Sequence, residues 1–438
     1  MASDDHGGVQ GTGIIPQAGS AAAAGHETPE CSAEGGTVFG MLVKYGVLTI
    51  LTLGIYRFWA KTHIRRYFWN SIRFCGDRFE YHGTPKELFI GFVLVVLILS
   101  PLFVLISLSE TLLSAYGAPA LFGIQVFYFA AIIVLTHVAV YRMQRYRLSR
   151  TSWRGVRFGL DGSTWAYLGK ALMWMLATVL TIGLAYPWMR NALLEYRVEN
   201  SRFGDARFRY TGTGAGLFRQ AWAPALLIYL PIVGGIVSMG ITLGPAVLAM
   251  LAGDTVRSDA DAAGAIVEGN IWLGLALVGG VLGMSWYRVR EFRFLLSNLH
   301  LAHVSLTSKL SSFRVILRGF LVSLLIGVVG GVIVFGIGAI IFGAMAGMAG
   351  FGMSGNPGEF VGTMFAAFAG AYFALIVTLV VIYNAIWTTL FTIPVLRKVC
   401  DGMAATNTDS LEEVVQTSGR DRSMTGEGLA DALDVGAL

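Results

Sequence analysis

Eight apolar runs punctuate the chain, at roughly residues 37–59, 87–109, 119–141, 166–188, 219–251, 264–287, 315–349 and 360–394. About 20 apolar residues cross a bilayer as one helix, so the pattern predicts an all-α polytopic membrane protein. Runs 219–251 and 315–349 are longer and must tilt, kink or extend past the lipid, with Pro224 and Pro231 as kink positions in the first. Between runs the period shortens to two. Arg73-Phe-Cys-Gly-Asp-Arg-Phe-Glu-Tyr81 puts Phe79 and Tyr81 on one face and Arg78 and Glu80 on the other, and Arg202-Phe-Gly-Asp-Ala-Arg-Phe-Arg-Tyr210 alternates likewise. Gly-Asp between such arms is a turn signal, so small β-hairpin cassettes are expected. A lone hairpin is marginal in water, and the cassettes are expected to pack together into one layer.

Charge then orients the runs. Of 32 Lys and Arg, 26 fall in residues 57–89, 141–170, 189–220 and 286–318, together with 8 of the 27 acids. The linkers 110–118 and 350–359 have no positive charge, and 252–263 has only Arg257 among Asp254, Asp259 and Asp261. By the positive-inside rule the basic segments are cytoplasmic, and 87–141, 219–287 and 315–394 are three transmembrane helical hairpins. Runs 37–59 and 166–188 conflict with this scheme. The second lies between two basic segments, and a full crossing would export six or seven positive charges. A re-entrant or interface-lying element resolves the conflict if protein covers its broken backbone, with Gly183 and Pro187 as the break. The alternative is eight full spans with some basic loops exported.

Composition supports a membrane class: of 438 residues 55% are hydrophobic and 13% charged, with mean hydropathy +0.64, against about 25% charged in soluble domains. A net charge of +5 would suggest nucleic acid only if the apolar bulk were ignored, so no nucleic-acid partner is expected. Cys31, Cys75 and Cys400 form no CxxC or Cys/His pattern, so they read as incidental thiols with neither zinc nor a disulfide framework. Residues 1–36 contain five acids and no Lys or Arg, unlike a signal peptide, and read as a disordered tail. Residues 401–438 form an acidic tail in which Ser410 and Glu413 have capping-box spacing. The membrane domain is then 37–400, with cassettes at 37–89, 141–218 and 286–318.

Shifting the chain by 129 residues aligns Thr49–Phe89 with Thr178–Phe218 without a gap, giving 15 identities in 41 positions. Among them are Gly54/Gly183, Trp59/Trp188, Arg73/Arg202, Arg78/Arg207, Phe79/Phe208 and Tyr81/Tyr210. A shift of 79 finds a weaker copy around Arg145–Gly162, and Arg290–Lys309 is a degraded fourth. Such periodicity indicates repeated cassettes. Leu51-Thr-Leu-Gly-Ile-Tyr-Arg-Phe-Trp59, Arg65-Arg-Tyr67, Arg78-Phe-Glu-Tyr-His-Gly-Thr84, Tyr141-Arg-Met-Gln-Arg-Tyr-Arg147, Ser152-Trp-Arg-Gly-Val-Arg-Phe158 and Gly183-Leu-Ala-Tyr-Pro-Trp188 are motifs by which the chain resembles the YjgN-like family of bacterial inner-membrane proteins, a domain of unknown function. The resemblance covers about residues 37–400, and Leu299-His-Leu-Ala-His-Val304 departs from its pattern. It implies inner-membrane location and topology class, and no reaction or catalytic residues.

Candidate chemistry is sparse. No nucleophile elbow, GxxxxGK[ST] or HExxH occurs, so the reading leans away from an enzyme, and no cofactor is expected. His300 and His303 lack further ligands for a metal. His82 aligns with Thr211, which argues against a required general base. Lys44 and His137 are membrane-embedded polar candidates, near enough to an interface to snorkel. The strongest feature is the arginine–aromatic set: Arg65, Arg66, Arg73, Arg78, Arg145, Arg147, Arg157, Arg202 and Arg207, candidates for holding lipid phosphates or other anions. Glycine-rich 327–352 suits close helix packing within the chain or a homo-oligomer. The expected function is moving or binding an amphiphilic or anionic substrate or lipid. The alternative is a non-transporting scaffold that binds anionic phospholipids or protein partners through the cassettes.

Overall fold

The computed structural model describes residues 27–113, 117–251, 259–350, 370, 373, 375–411 and 414. Its helices are α1 (Gly35–Leu51), α2 (Arg57–Asn70), α3 (Pro85–Leu113), α4 (Ala118–Ser149), α5 (Thr164–Leu180), α6 (Tyr186–Glu199), α7 (Gly214–Leu251), α8 (Asp259–Ser297), α9 (Ser312–Gly350) and α10 (Leu375–Gly402). Among the described residues six are long and apolar enough to cross a membrane: α3, α4, α7, α8, α9 and α10. The chain is a polytopic membrane protein.

The apolar runs 37–59 and 166–188 are each interrupted. Helices α1 and α5 have 17 residues apiece, below the length of a span, and each turns through five residues into α2 or α6. The two turns are built alike. Thr52 Oγ1 donates to the Leu48 carbonyl (2.8 Å) and accepts from Tyr56 N (2.9 Å); Thr181 Oγ1 donates to Ala177 O (2.8 Å) and accepts from Ala185 N (3.0 Å). Leu53 and Ile182 take φ of 49° and 52°, followed by Gly54 at 92° and Gly183 at 89°. A left-handed β-branched residue is strained, and the Tyr229 hydroxyl on α7 donates to the Ile182 carbonyl at 2.7 Å, fixing that strained peptide. Both tips are apolar and bare, with Leu53 94% and Ile182 82% exposed.

The strands are β1 (Glu30–Cys31), β2 (Ile72–Phe74), β3 (Asp77–Tyr81), β4 (Thr151–Trp153), β5 (Val156–Leu160), β6 (Ser201–Phe203), β7 (Ala206–Tyr210), β8 (Leu299–Leu301), β9 (Val304–Ser308) and β10 (Met403–Thr406). They form one antiparallel sheet in chain order. Each hairpin from β2–β3 to β8–β9 has a three-residue arm, a two-residue loop and a five-residue arm. Reciprocal backbone bonds between Glu27 and Ala405 (3.0 and 2.8 Å) join the segment before β1 to β10. The sheet therefore closes on itself as a small barrel and leaves no open edge.

Closure corrects three expectations. The fold is not all-α, and the cassettes expected to pack into one layer are joined edge to edge as a β-barrel beneath the helices. Residues 27–36 and 401–411 belong to the ordered structure, because the barrel needs an edge partner from each terminus; the remaining tail positions, apart from 414, lie outside the described residues. Ser410 sits in a 3-10 turn, Thr408–Leu411, and donates to the Asn407 carbonyl (3.1 Å), while Glu413 lies outside the described residues. The first loop is also shifted by one residue. It is Cys75-Gly76, with φ of 47° and 81°, and Asp77 opens β3. A two-residue loop of this hand requires positive φ at both positions, and Arg154-Gly155, with φ of 50° and 75°, repeats the pattern in the next hairpin.

Glycine packing likewise falls elsewhere than expected. A Cβ at Gly279 would lie 2.1 Å from the Leu227 carbonyl oxygen and one at Gly283 2.7 Å from that of Pro224, so α8 meets α7 backbone to backbone. Among the described residues, nothing lies within 4 Å of such a Cβ at Gly327, Gly330, Gly331, Gly336, Gly338 and Gly343. Gly347 and Gly350 are described only as part of α9, and Gly352 lies outside the described residues.

Candidate functional site

Alternation along the strands sends one set of side chains into the barrel. Phe74, Phe79, Trp153, Phe158, Phe203 and Phe208 meet there, with ring centroids 4.7 Å apart for Phe158 and Phe203 and 5.7 Å for Trp153 and Phe203. They border an apolar cavity of about 310 Å³, closed further by Leu306, Cys400 and Leu411. A dry void of that size would cost on the order of 7 kcal/mol at ~24 cal/mol per Å³, a large share of the stability of an ordinary domain.

A second cavity of about 460 Å³ lies between α2, α4, α10 and the barrel, lined by residues that include Ile64, Phe68, Trp69 and Leu148. Ile72, Phe79, Phe158 and Leu396 border both cavities, so the two adjoin. The wall of the second is apolar except for Arg65, Arg147, Thr151 and Thr392. Arg65 is 5% exposed, carried on the buried face of α2 with Thr62 and Phe68. Arg147 comes from the end of α4. Thr392 ends a five-residue π-helical stretch, Thr388–Thr392, within α10; such insertions occur often at functional sites.

The other expected arginines are dispersed. Arg66 donates to the Gly83 carbonyl at 3.3 Å and borders a polar recess with Asn70, Glu80, Tyr81 and His82. Arg73 faces Arg78 across β2–β3, Arg202 faces Arg207 across β6–β7, and Arg157 faces Ser152. By strand alternation all five lie on the outer surface of the barrel. Arg202 pairs with Asp161 (3.0 Å). Arg145 is half-buried on α4. Lys44 is exposed on α1, and His137 Nδ1 lies 2.9 Å from the Ile133 carbonyl of its own helix.

His82 Nε2 lies 2.7 Å from Ser152 Oγ and 3.4 Å from Glu80 Oε2. Both contacts use one ring nitrogen, whereas a relay needs the carboxylate on the other. The equivalent positions at the next seams hold Asp161 with Arg202 (3.0 Å) and Thr211 with His300 (3.3 Å). The pairing is a cross-strand join between hairpins, made with whatever polar chemistry each cassette supplies.

Residues 30–432 match the family described as bacterial protein of unknown function (DUF898). This chain belongs to the DUF898 family. A stretch of 138 residues is 34% identical to the inner membrane protein YjgN of Salmonella typhimurium, covering 31% of this chain and 32% of that relative. The chain thus spans about a third of the length of the relative. No solved structure matches.

Two buried ion pairs in this DUF898 protein were missed in the sequence. Glu87, in the first turn of α3, accepts from Arg150 Nε (3.1 Å) and Nη2 (2.8 Å) and from the Tyr146 hydroxyl (2.8 Å). Arg190 of α6 donates to Glu291 of α8 at 2.6 Å. Neither pair has helical spacing, so only the fold brings its members together. Below them Tyr210 donates to Asn191 Oδ1 (2.9 Å), and burial pushes its hydroxyl up to about 12.

Proposed function

We propose that the protein is an integral protein of the bacterial inner membrane that binds an anionic amphiphile in the cavity beside the barrel. One observation carries the reading: a cavity of about 460 Å³ with an almost wholly apolar surface lies among the basic segments, with Arg65 of α2 and Arg147 of α4 among its lining residues. Such a cavity takes the apolar body of a ligand, and the basic segments around it suit a negative head. In this reading the barrel is cytoplasmic, since the basic segments surround it. The α1–α2 and α5–α6 pairs are re-entrant, dipping their bare apolar tips into the near leaflet, and the cassettes are copies of one unit. The relative's description as an inner membrane protein supports the location.

A second reading has its own observation. Arg73/Arg78 and Arg202/Arg207 are like-charged cross-strand partners, an arrangement that is destabilising unless anions offset it, as Asp161 does for Arg202. An outer belt of this kind suits a scaffold resting on anionic phospholipid headgroups.

One assay separates the two. Purified protein in phosphatidylcholine nanodiscs is titrated with radiolabelled palmitate or with hexadecanol, its neutral counterpart. Loss of a hydrogen bond to a charged group, about 1.5–3 kcal/mol, predicts roughly 10-fold or greater weakening of palmitate binding in Arg65→Gln and in Arg147→Gln, with hexadecanol unaffected. Arg78→Gln/Arg207→Gln should leave binding unchanged. If only the outer pair matters, the scaffold reading stands and the cavity reading fails.

A further inference from the structure

The barrel cavity has no part in the reading above. It has a volume of about 310 Å³, and no charged side chain among the described residues lines it. Rings from three consecutive hairpins, Phe74 to Phe208, supply much of the wall, and Leu301, Val304 and Leu306 of the fourth add to it. Leu411, 6% exposed, and Val414 pack on the same cluster from the C-terminal end of the described chain. Water fills such a space poorly, because an ordered buried water needs two to four polar partners, and the lining side chains are hydrocarbon apart from the Trp153 indole nitrogen and the sulfurs of Cys400 and Met403. A charged ligand would lose its hydration there with no partner to replace it. A cavity of about 150 Å³ with comparable lining stays dry and accepts benzene, so about twice that volume takes two fused rings or a hydrocarbon of similar bulk. We infer that the barrel interior is a binding site for a neutral, apolar small molecule of that size, held by contact with the aromatic wall. Neither Arg65 nor Arg147 lines the site, so it stands or falls apart from the amphiphile reading.

Trp153 reports occupancy, since it is 3% exposed and is the tryptophan among the residues lining this cavity. Full-length protein in phosphatidylcholine nanodiscs is titrated with 2-bromonaphthalene, which is neutral and of the right bulk, or with 6-bromo-2-naphthoate, its charged counterpart. The emission lost on contact with bromine is compared with that of Trp153→Phe. The part that depends on Trp153 should saturate with the neutral probe and require at least about 100-fold more of the charged one. Ala405→Phe gives a second measurement with Trp153 in place. Ala405 is fully buried and lines the cavity, so a ring there should fill the space, raise the thermal midpoint in the absence of probe and remove the saturable quenching. Quenching that rises in proportion to added probe, alike in parent and Ala405→Phe, comes from lipid-dissolved probe and overturns the site. Equal affinity for the two probes overturns its neutral class. Should Ala405→Phe fail to fold, the parent and Trp153→Phe decide alone: a saturable Trp153-dependent component supports the site, and its absence overturns it.

Discussion

Arg150→Met is the most informative single perturbation of the fold, because Arg150 closes the clasp between the two legs of the first long helical pair. Its side chain is 6% exposed and that of Glu87 19%, and the guanidinium holds the carboxylate through both oxygens. Its backbone also matters: the Arg150 carbonyl accepts from His82 N at 2.8 Å, tying α4 to the end of β3. An exposed pair would be worth about 0–1 kcal/mol, but removing one member of a buried pair strands the other charge and costs about 3–5 kcal/mol. Glu87 retains the Tyr146 hydroxyl and some solvent, so the lower part of that range applies, about 3 kcal/mol. Glu87→Leu combined with Arg150→Met removes both charges but leaves the buried Tyr146 hydroxyl without its acceptor, so it should recover part of the loss and stay about 1–2 kcal/mol below the parent. Equilibrium unfolding in mixed detergent micelles, followed by tryptophan emission, measures all three variants. A single-variant loss below about 1 kcal/mol, or a double variant worse than either single, would refute the assignment of the pair as a buried clasp.

The raised Tyr210 makes a pH prediction. Its folded value of about 12 lies above the ordinary ~10 of an unfolded tyrosine. The folded state thus holds the proton more tightly: the contribution is fully present below pH ~10 and is lost as pH rises towards 12, amounting to roughly 3 kcal/mol. The stability difference between parent and Tyr210→Phe, measured from pH 8 to 12, should shrink across that window, and a flat difference contradicts the burial argument. The seating of β1 against the end of α10 can be tested chemically, since the two elements pack together and carry Cys31 and Cys400 respectively. Mild copper-catalysed oxidation should join them into a species of altered mobility that Cys31→Ser abolishes, whereas no product would mean that β1 does not sit beside α10.

Periodicity made much of this fold legible. Apolar runs of sufficient length announced the long helices, and strict alternation at Arg73–Tyr81 and Arg202–Tyr210 announced the hairpins with their correct inward and outward faces. Gly183 marked the interruption of the fifth helix, where the backbone does take positive φ. What stayed hidden was long-range. Closure of the barrel depends on Glu27 meeting Ala405 and on Arg397 Nε donating to the Ala33 carbonyl at 3.1 Å, contacts between opposite ends of the chain that carry no local pattern. Cys31 and Cys400 read as incidental thiols for the same reason. The cavity was invisible because it is assembled from α2, α4, α10 and strands of several cassettes.

Arg73/Arg202 and Arg78/Arg207 are matched pairs under the 129-residue alignment, and they occupy corresponding positions on β2/β6 and β3/β7. Arg65 aligns with Leu194, which is also buried but apolar. Burying a guanidinium where the twin position accepts leucine carries a desolvation cost that packing alone does not require. Arg65 is thus the cation that breaks the alignment, and its side chain is among those that line the cavity. The sharpest test of that asymmetry is the pair Arg65→Leu and Leu194→Arg. The first should preserve or raise stability while abolishing preference for palmitate over hexadecanol, and the second should destabilise without creating a new anion site. Loss of folding in Arg65→Leu would instead make Arg65 part of the scaffold and remove the main support for an anionic ligand.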